Sequence, residues 1–580
     1  MTKNGYIRIY LIMALIVTFI AISIKYQFLS GIKLFGDSVF HIQRILEIRM
    51  AFKQGTLPCW LNFNTFYGIG QAVNGMYPDL TLWPFVAITN FMSPQYQMAT
   101  INFLIFFLTL LISFLSIKSQ GNGTELSFYI SVAYTFSGYC LYQYVEEFQP
   151  GVAIINIFAF PILFITWDLL NSTKIDVALV CKFSLCMILI AFSHLLSLVV
   201  YGYLLLSVLI IRTVFRKLRI GVFLNTLLSI PLILLGSSPI LYRILTLTNS
   251  NILMPYGKGH IKAATFQEVF NTTTWWSRGQ LSIMALIMLI IAIAFCNKQL
   301  RRKLVPLLCL ELYIFVLCLS IFPWKLFDHI PLINNLQYTP WRFGVWLAVI
   351  PSIMMVTIFK KYDQTIGIKI GFTLAILSVL LSNSSLIYLM SGNVLHFNNK
   401  ASSAIVNNNT IASPYKTAIL YMGEHPDYFP DAKNVKNDKY QLTASRQKQL
   451  YNQKLIVNNS AINFVKEPST HGVTFTTNNV KNNSADIVLP LICYQRLSYD
   501  VSMNGKLVHY SNNAYGNMVI KNAKLSNGSQ TIAVQFNTPK IYKVLLALSM
   551  ISILLMLIEI VITGQSIGML ALKGGERLNL

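Results

Sequence analysis

Charge is what this sequence has least of. Asp, Glu, Lys and Arg make up 11% of 580 residues, against about 25% in ordinary soluble domains, and the mean hydropathy is +0.56. That shortage excludes a soluble globular enzyme and points to a polytopic membrane protein. Acidic residues are the scarcer kind, 21 against 45 basic, a net charge of +24. Such an excess would suit nucleic acid if it were clustered. Instead the lysines and arginines are scattered in short loops between apolar runs, the pattern of the positive-inside rule, so no nucleic acid is expected. Part of the excess suits anionic lipid head groups or an anionic lipid-linked substrate. Cysteine is sparse: eight residues, no CxxC pair, most of them within apolar runs. Neither a disulfide framework nor a zinc site is expected. The Walker loop, HExxH, GxSxG and the paired carboxylates of a glycosidase are missing as well, which argues against an ATPase, a metalloprotease and a serine hydrolase.

Long apolar runs are what the sequence has instead. About twelve are long enough to span a bilayer as helices: 7–24, 98–117, 126–144, 151–170, 177–193, 195–211, 221–241, 281–297, 304–322, 342–359, 368–390 and 541–563. The first has no small-residue cleavage site after it and reads as a retained helix. With the N-terminus in the cytoplasm, alternate loops hold Lys118; Lys174; Arg212, Arg216, Lys217 and Arg219; Lys298, Arg301, Arg302 and Lys303; Lys360, Lys361 and Lys369; and Lys573 with Arg577. Each expected inner loop is basic. The expected organisation is an all-α polytopic membrane domain over 1–391 with a large first outer loop (25–97). An extracytoplasmic domain over 392–540 follows, β-sandwich-like from about 471, then a final helix and cytoplasmic tail over 541–580. Asn504-Gly505, inside 497–511, is the strongest hairpin signal.

Chemistry concentrates in the outer loops. Gly36-Asp37-Ser38-Val39-Phe40-His41-Ile42-Gln43-Arg44 opens the first, and Trp60, Tyr67-Gly68-Ile69-Gly70 and Tyr77-Pro78 mark it as folded. Asp79 to Met92 is apolar but short, and reads as a half-buried or re-entrant piece. Asp37 has two open readings: a carboxylate favoured by a helix N-terminus, or a general base for an acceptor hydroxyl. For His41 and Arg44, one and two helical turns later, a solvated helix face is the plainer reading. Glu146 and Glu147, beside Gln149, are hydrogen-bonding anchors or catalytic carboxylates. His194 sits at a tight turn. Arg278, in Trp275-Trp276-Ser277-Arg278, and Arg342, in Pro340-Trp341-Arg342, are snorkelling belt arginines or clamps on a lipid phosphate, with the clamp favoured for Arg342.

Together, Gly36-Asp37-Ser38 with His41, Gly68-Ile69-Gly70, Tyr77-Pro78, Ser193-His194-Leu195-Leu196-Ser197, Gln337-Tyr338-Thr339-Pro340-Trp341-Arg342-Phe343 and the stretch from Leu489-Pro490 to Asn504-Gly505-Lys506 resemble the GT-C class of membrane glycosyltransferases. More closely, the chain resembles the bacterial YfhO-like proteins and their "6-pyruvoyl-tetrahydropterin synthase-related" relatives, a label that carries no pterin chemistry here. One departure stands out: the family's Gly-Glu-Tyr-Leu-Pro is Gly423-Glu424-His425-Pro426-Asp427-Tyr428-Phe429-Pro430 here. The resemblance implies a GT-C-like fold and transfer of a sugar from a polyprenyl-phosphate-linked donor to a cell-surface acceptor, such as teichoic acid or another glycopolymer. Asp37 would be the base. Arg342, with Arg278 and His194, would hold the carrier phosphate, and His41, Arg44, Tyr77, Glu146, Glu147 and Trp341 would complete the substrate site. No cofactor is implied, and a divalent cation is left open. The location implied is the bacterial cell membrane. The rival readings are a transporter or flippase of lipid-linked glycans, and a non-enzymatic assembly protein that binds surface polymer.

Overall fold

The computed structural model describes residues 3–27, 32–33, 37–143, 148–215, 219–250, 252, 261–270, 283–296, 298–330, 332–360, 364–390, 405–406, 428–430, 435–436, 441–442, 454–478, 484–525 and 528–563. Glu146, Glu147, Arg278 and Glu424 lie outside these residues, as does the side chain of Trp341.

The described chain is mostly helical. α1 (Lys3–Gln27) leads into a region holding α2 (Ser38–Lys53), α3 (Val73–Met76) and α4 (Trp83–Ile88). A bundle follows: α5 (Pro94–Ser119), α6 (Thr124–Thr135), α7 (Gly138–Leu141), α8 (Pro150–Ile157), α9 (Ala159–Asn171), α10 (Val177–Ser193), α11 (Leu195–Phe215), α12 (Ile220–Thr248), α13 (Phe266–Phe270), α14 (Ile283–Ala294), α15 (Lys298–Cys318), α16 (Thr339–Phe359) and α17 (Gln364–Met390), with α18 (Lys540–Ile562) at the end.

Among the described residues, six helices, α5, α11, α12, α16, α17 and α18, are long and apolar enough to cross a membrane. A seventh is counted if α8 and α9, bent by 55°, form one crossing. The bend has a local cause: Pro161, in the first turn of α9, has no N–H for the Ile157 carbonyl, and its ring crowds that turn. The expected span at 126–144 is not one helix, because Ser137 is extended (φ −68°, ψ 155°) between α6 and α7. α12 packs on α10 and α18, α16 on α14 and α15, and α17 on α6. A Cβ at Gly236 would fall 2.2 Å from Ile188 Cδ1, so glycine sets the close approach of α10 and α12. Leu234, Leu245, Leu554 and Ile562 point outward from α12 and α18, where only an apolar surrounding suits them.

α2 lies between this bundle and everything else. Ile42, Ile45, Leu46 and Ile48 join the bundle's core, while Phe40 joins a second core. That second core unites the first loop (Trp60, Phe63, Phe66, Tyr67) with two five-stranded antiparallel sheets. The strands used here are, in chain order, β1 (Leu455–Val457), β2 (Ser460–Ile462), β3 (Val465–Ser469), β4 (Gly472–Thr477), β5 (Ala485–Ile492), β6 (Tyr499–Met503), β7 (Lys506–Leu507), β8 (Ser511–Asn512), β9 (Asn517–Ala523) and β10 (Gln530–Phe536). One sheet runs β7-β6-β10-β4-β3 and the other β8-β9-β5-β1-β2. The hairpin falls where the sequence puts it: Asn504 (φ 51°) and Gly505 (φ 78°) turn β6 into β7, and Asn504 Oδ1 accepts from Thr531 N at 2.9 Å. Pairing begins before 471, because Asn458 (φ 45°) and Asn459 (φ 66°) form a second tight turn between β1 and β2.

The β module and the first loop are fastened together by hydrogen bonds. Ile492 N donates to Ile69 O at 2.7 Å, Ala72 N to Tyr494 Oη at 2.9 Å, and Tyr494 Oη to Tyr428 O at 2.8 Å. Lys466 Nζ donates to Tyr67 O at 3.0 Å, and burial pushes its amine down to about 7. The loop is therefore covered by the β module on one side and by α2 on the other.

Candidate functional site

α2 supplies the floor. Its side toward the first loop carries Gln43, Arg44 and Glu47, all fully buried. Glu47 accepts from Phe63 N, Asn64 N, Asn64 Nδ2 and Thr65 Oγ1, the last at 2.7 Å, and Gln43 Oε1 accepts from Phe66 N at 2.7 Å. These bonds hold Phe66 and Tyr67 at positive φ (50° and 61°), a conformation that ordinary side chains adopt only when the surroundings impose it.

His41 and Arg44 are buried, not solvated, which corrects the helix-face reading. The correction is tertiary in origin: Tyr77-Pro78 folds back over this face of α2. Arg44 Nη1 donates to His41 Nδ1 at 3.1 Å and Nη2 to Pro78 O at 2.7 Å, and the guanidinium lies 4.1 Å from the Tyr77 ring centroid. Its Nε has no hydrogen-bond partner, and no carboxylate among the described residues pairs with it. Because a guanidinium only donates, His41 carries its proton on Nε2. His194, at the junction of α10 and α11, is in the same tautomer, since its Nδ1 accepts from Ser197 N at 3.2 Å. The two imidazoles flank the Tyr77 ring, with centroids 5.5 and 5.7 Å away. Burial, reinforced by the neighbouring arginines, holds both well below the usual histidine range, so both are neutral near pH 7. Burial likewise raises the Tyr77 hydroxyl.

A second buried arginine completes the clamp on this segment. Arg243 of α12 pairs with Asp79 at 2.9 Å, both almost without exposure, and donates to Tyr77 O at 3.2 Å; Trp83 Nε1 donates to Asp79 Oδ2 at 3.0 Å. Neither Asp79 nor Arg243 stood out in the sequence. Arg243 is the single charge in the apolar 29-residue α12, and that was its signal. Ending the apolar run at 241 hid it in a loop. The turn before His194 is also fixed: a Cβ at Gly151 would lie 2.4 Å from Ser193 O, so α8 can abut there only through glycine.

Asp37 stands at the exposed edge of this cluster. It occupies the N-cap position of α2 but makes no side-chain capping bond; its Oδ2 accepts from Gln149 Nε2 at 3.0 Å. Both readings of this carboxylate, favoured by the helix N-terminus or acting as a base, keep their place: it is exposed at the start of α2. Tyr77 and Arg342 both feel its charge, and Arg342 also neighbours Tyr139 and Tyr142. Arg342 Nε donates to Leu336 O at 3.1 Å, and Nη2 donates to Gln337 Oε1, which holds the guanidinium against its own loop. Asp37, His41, Arg44, Tyr77, His194 and Arg342 thus converge from four separate parts of the chain. Among the described residues, no three His, Cys, Asp or Glu side chains gather as a metal site.

The histidines give a pH dependence. Their folded pKa values lie below the free value of 6.5, so the unfolded chain binds more protons below that value. Stability is full above pH 6.5 and falls as pH drops through and below it. Melting of purified protein at pH 7.5 and 5.5 checks this: the wild type loses more on acidification than His41→Gln, and equal losses count against it.

The chain matches no protein-family model and no curated protein.

Proposed function

We propose that this chain is a multi-pass membrane glycosyltransferase of GT-C-like architecture. It transfers a sugar from a polyprenyl-phosphate-linked donor to a polymer acceptor outside the cytoplasm. The observation that carries the reading is the cluster itself: exposed Asp37 at its edge, Arg342 and Tyr77 within reach of that charge, and buried Arg44 with neutral His41 and His194 packed around the Tyr77 ring. Positive charge suits a departing phosphate, and an accessible carboxylate suits a hydroxyl. In this account about twelve helices cross the bilayer, α1, α10 and α14 among them, along with the broken α6–α7 and the bent α8–α9. Both termini are cytoplasmic and residues 392–540 lie outside.

The acceptor hydroxyl attacks the anomeric carbon while Asp37 takes its proton. The bond from that carbon to the phosphate oxygen breaks, and the lipid phosphate leaves with the bonding pair. Arg342 meets the phosphate, and buried Arg44 adds potential from behind Tyr77 without touching it. One displacement with no enzyme nucleophile inverts the sugar. The transport reading draws on one observation, Glu311, buried in α15 with neither carboxylate oxygen hydrogen-bonded.

Two experiments bear on this reading. Arg342→Ala weakens donor use roughly 10- to 100-fold, as expected for loss of a charge-assisted contact. Unchanged donor dependence in reconstituted membranes removes that role. In a cysteine-labelling scan, position 450 reacts with an impermeant reagent from outside while positions 215 and 300 stay protected. Labelling at 300 in intact cells overturns the topology.

A further inference from the structure

A cavity of about 660 Å³, within the range of small-molecule sites, runs along the bundle to its basic end. From His194 to Arg212, α11 rises about 27 Å, so the cavity's basic rim is a membrane's thickness from the Asp37 cluster, while its lining reaches up to Tyr201 and Trp346. It lies between α11 and α15, both of which pack on α16. Tyr313, in its wall, ties α15 to α11: Ser207 Oγ meets Tyr313 Oη at 3.1 Å, and Tyr313 Oη donates to Tyr203 Oη at 3.1 Å. Its side is open, because Ile211, Val305, Pro306 and Cys309 line it and are also exposed. Most of the wall is apolar. The rim at the basic end holds Arg212, Lys303 and Lys360 against one carboxylate, Asp168. Arg212 donates to Leu170 O and to Asn171 Oδ1, and Lys360 donates to Gln120 O.

We propose that this cavity binds an anionic membrane phospholipid, with one acyl chain between α11 and α15 and the phosphate at the Arg212–Lys303–Lys360 rim. An apolar cavity with a sideways opening suits a chain entering from the bilayer, and a net-positive rim at the membrane boundary suits an anionic head group. Free phosphate would leave the apolar wall unused. The inference rests on the bundle lying in a membrane and does not depend on glycosyl transfer.

The probe is phosphatidylglycerol with a diazirine on one acyl chain, in nanodiscs of phosphatidylcholine holding the full-length chain. Cross-linked peptides are mapped by mass spectrometry. Label on α11 and α15 is expected, falling about tenfold in Arg212→Gln/Lys303→Gln. Cys309→Trp fills the exposed opening without changing charge, so it keeps the fold and also loses label. Equal labelling of α11 and α15 by a diazirine phosphatidylcholine overturns the proposal, as does full labelling of either variant. Displacement by polyprenyl phosphate but not by unlabelled phosphatidylglycerol also overturns it, reassigning the cavity to an isoprenoid tail.

Discussion

Asp37→Asn is expected to give a folded, membrane-inserted, donor-binding protein whose transfer rate is lower by about 10²- to 10⁴-fold, the usual worth of a general base. The amide keeps the shape of the carboxylate and can still accept from Gln149 Nε2, so the fold loses little. Because Asp37 makes no side-chain capping bond in α2, the helix loses only the favourable charge at its N-terminus, about 0.3–1 kcal/mol. Donor binding survives because the phosphate is assigned to Arg342. The readout is sugar transfer in reconstituted membranes with donor binding measured alongside. Full activity removes Asp37 as the base. Loss of folding restores a structural role for it.

Asp79→Ala acts on stability instead. It leaves the Arg243 guanidinium in the interior without its carboxylate, and breaking a buried pair in this way costs about 3–5 kcal/mol. Arg243→Ala costs a similar amount from the other side. Replacing both, as Asp79→Leu with Arg243→Met, recovers much of the loss, because no charge is then stranded. Thermal unfolding of the three variants in detergent tests this. A single variant that melts with the wild type shows that water or another group satisfies Arg243. Since Arg243 also holds the Tyr77 carbonyl, the single variants loosen the segment over Arg44 and lower activity as well.

What the sequence made legible is what local pattern decides. Apolar runs at 177–193 and 541–563 became α10 and α18 almost to the residue, because long apolar runs leave the chain few other solutions. Asn504-Gly505 set its turn for the same reason, since both φ angles are positive. The run at 126–144 misled because hydropathy does not register a single extended residue such as Ser137. Burial of His41 and Arg44 was not legible either. It depends on Tyr77-Pro78 folding over α2, a contact that helical spacing cannot announce. The Asp79–Arg243 pair joins residues 164 apart in sequence, and only an unexplained charge in an apolar helix pointed toward it. Glu47, with its ring of donors from the first loop, was likewise invisible until that loop closed.

The most direct test of the account is a structure of the full chain with a polyprenyl-phosphate-linked sugar bound. The account predicts the donor phosphate within hydrogen-bond distance of Arg342, near Tyr77 and His194, and the anomeric carbon facing the space in front of Asp37. A phosphate held elsewhere, with Asp37 remote from the sugar, would contradict it.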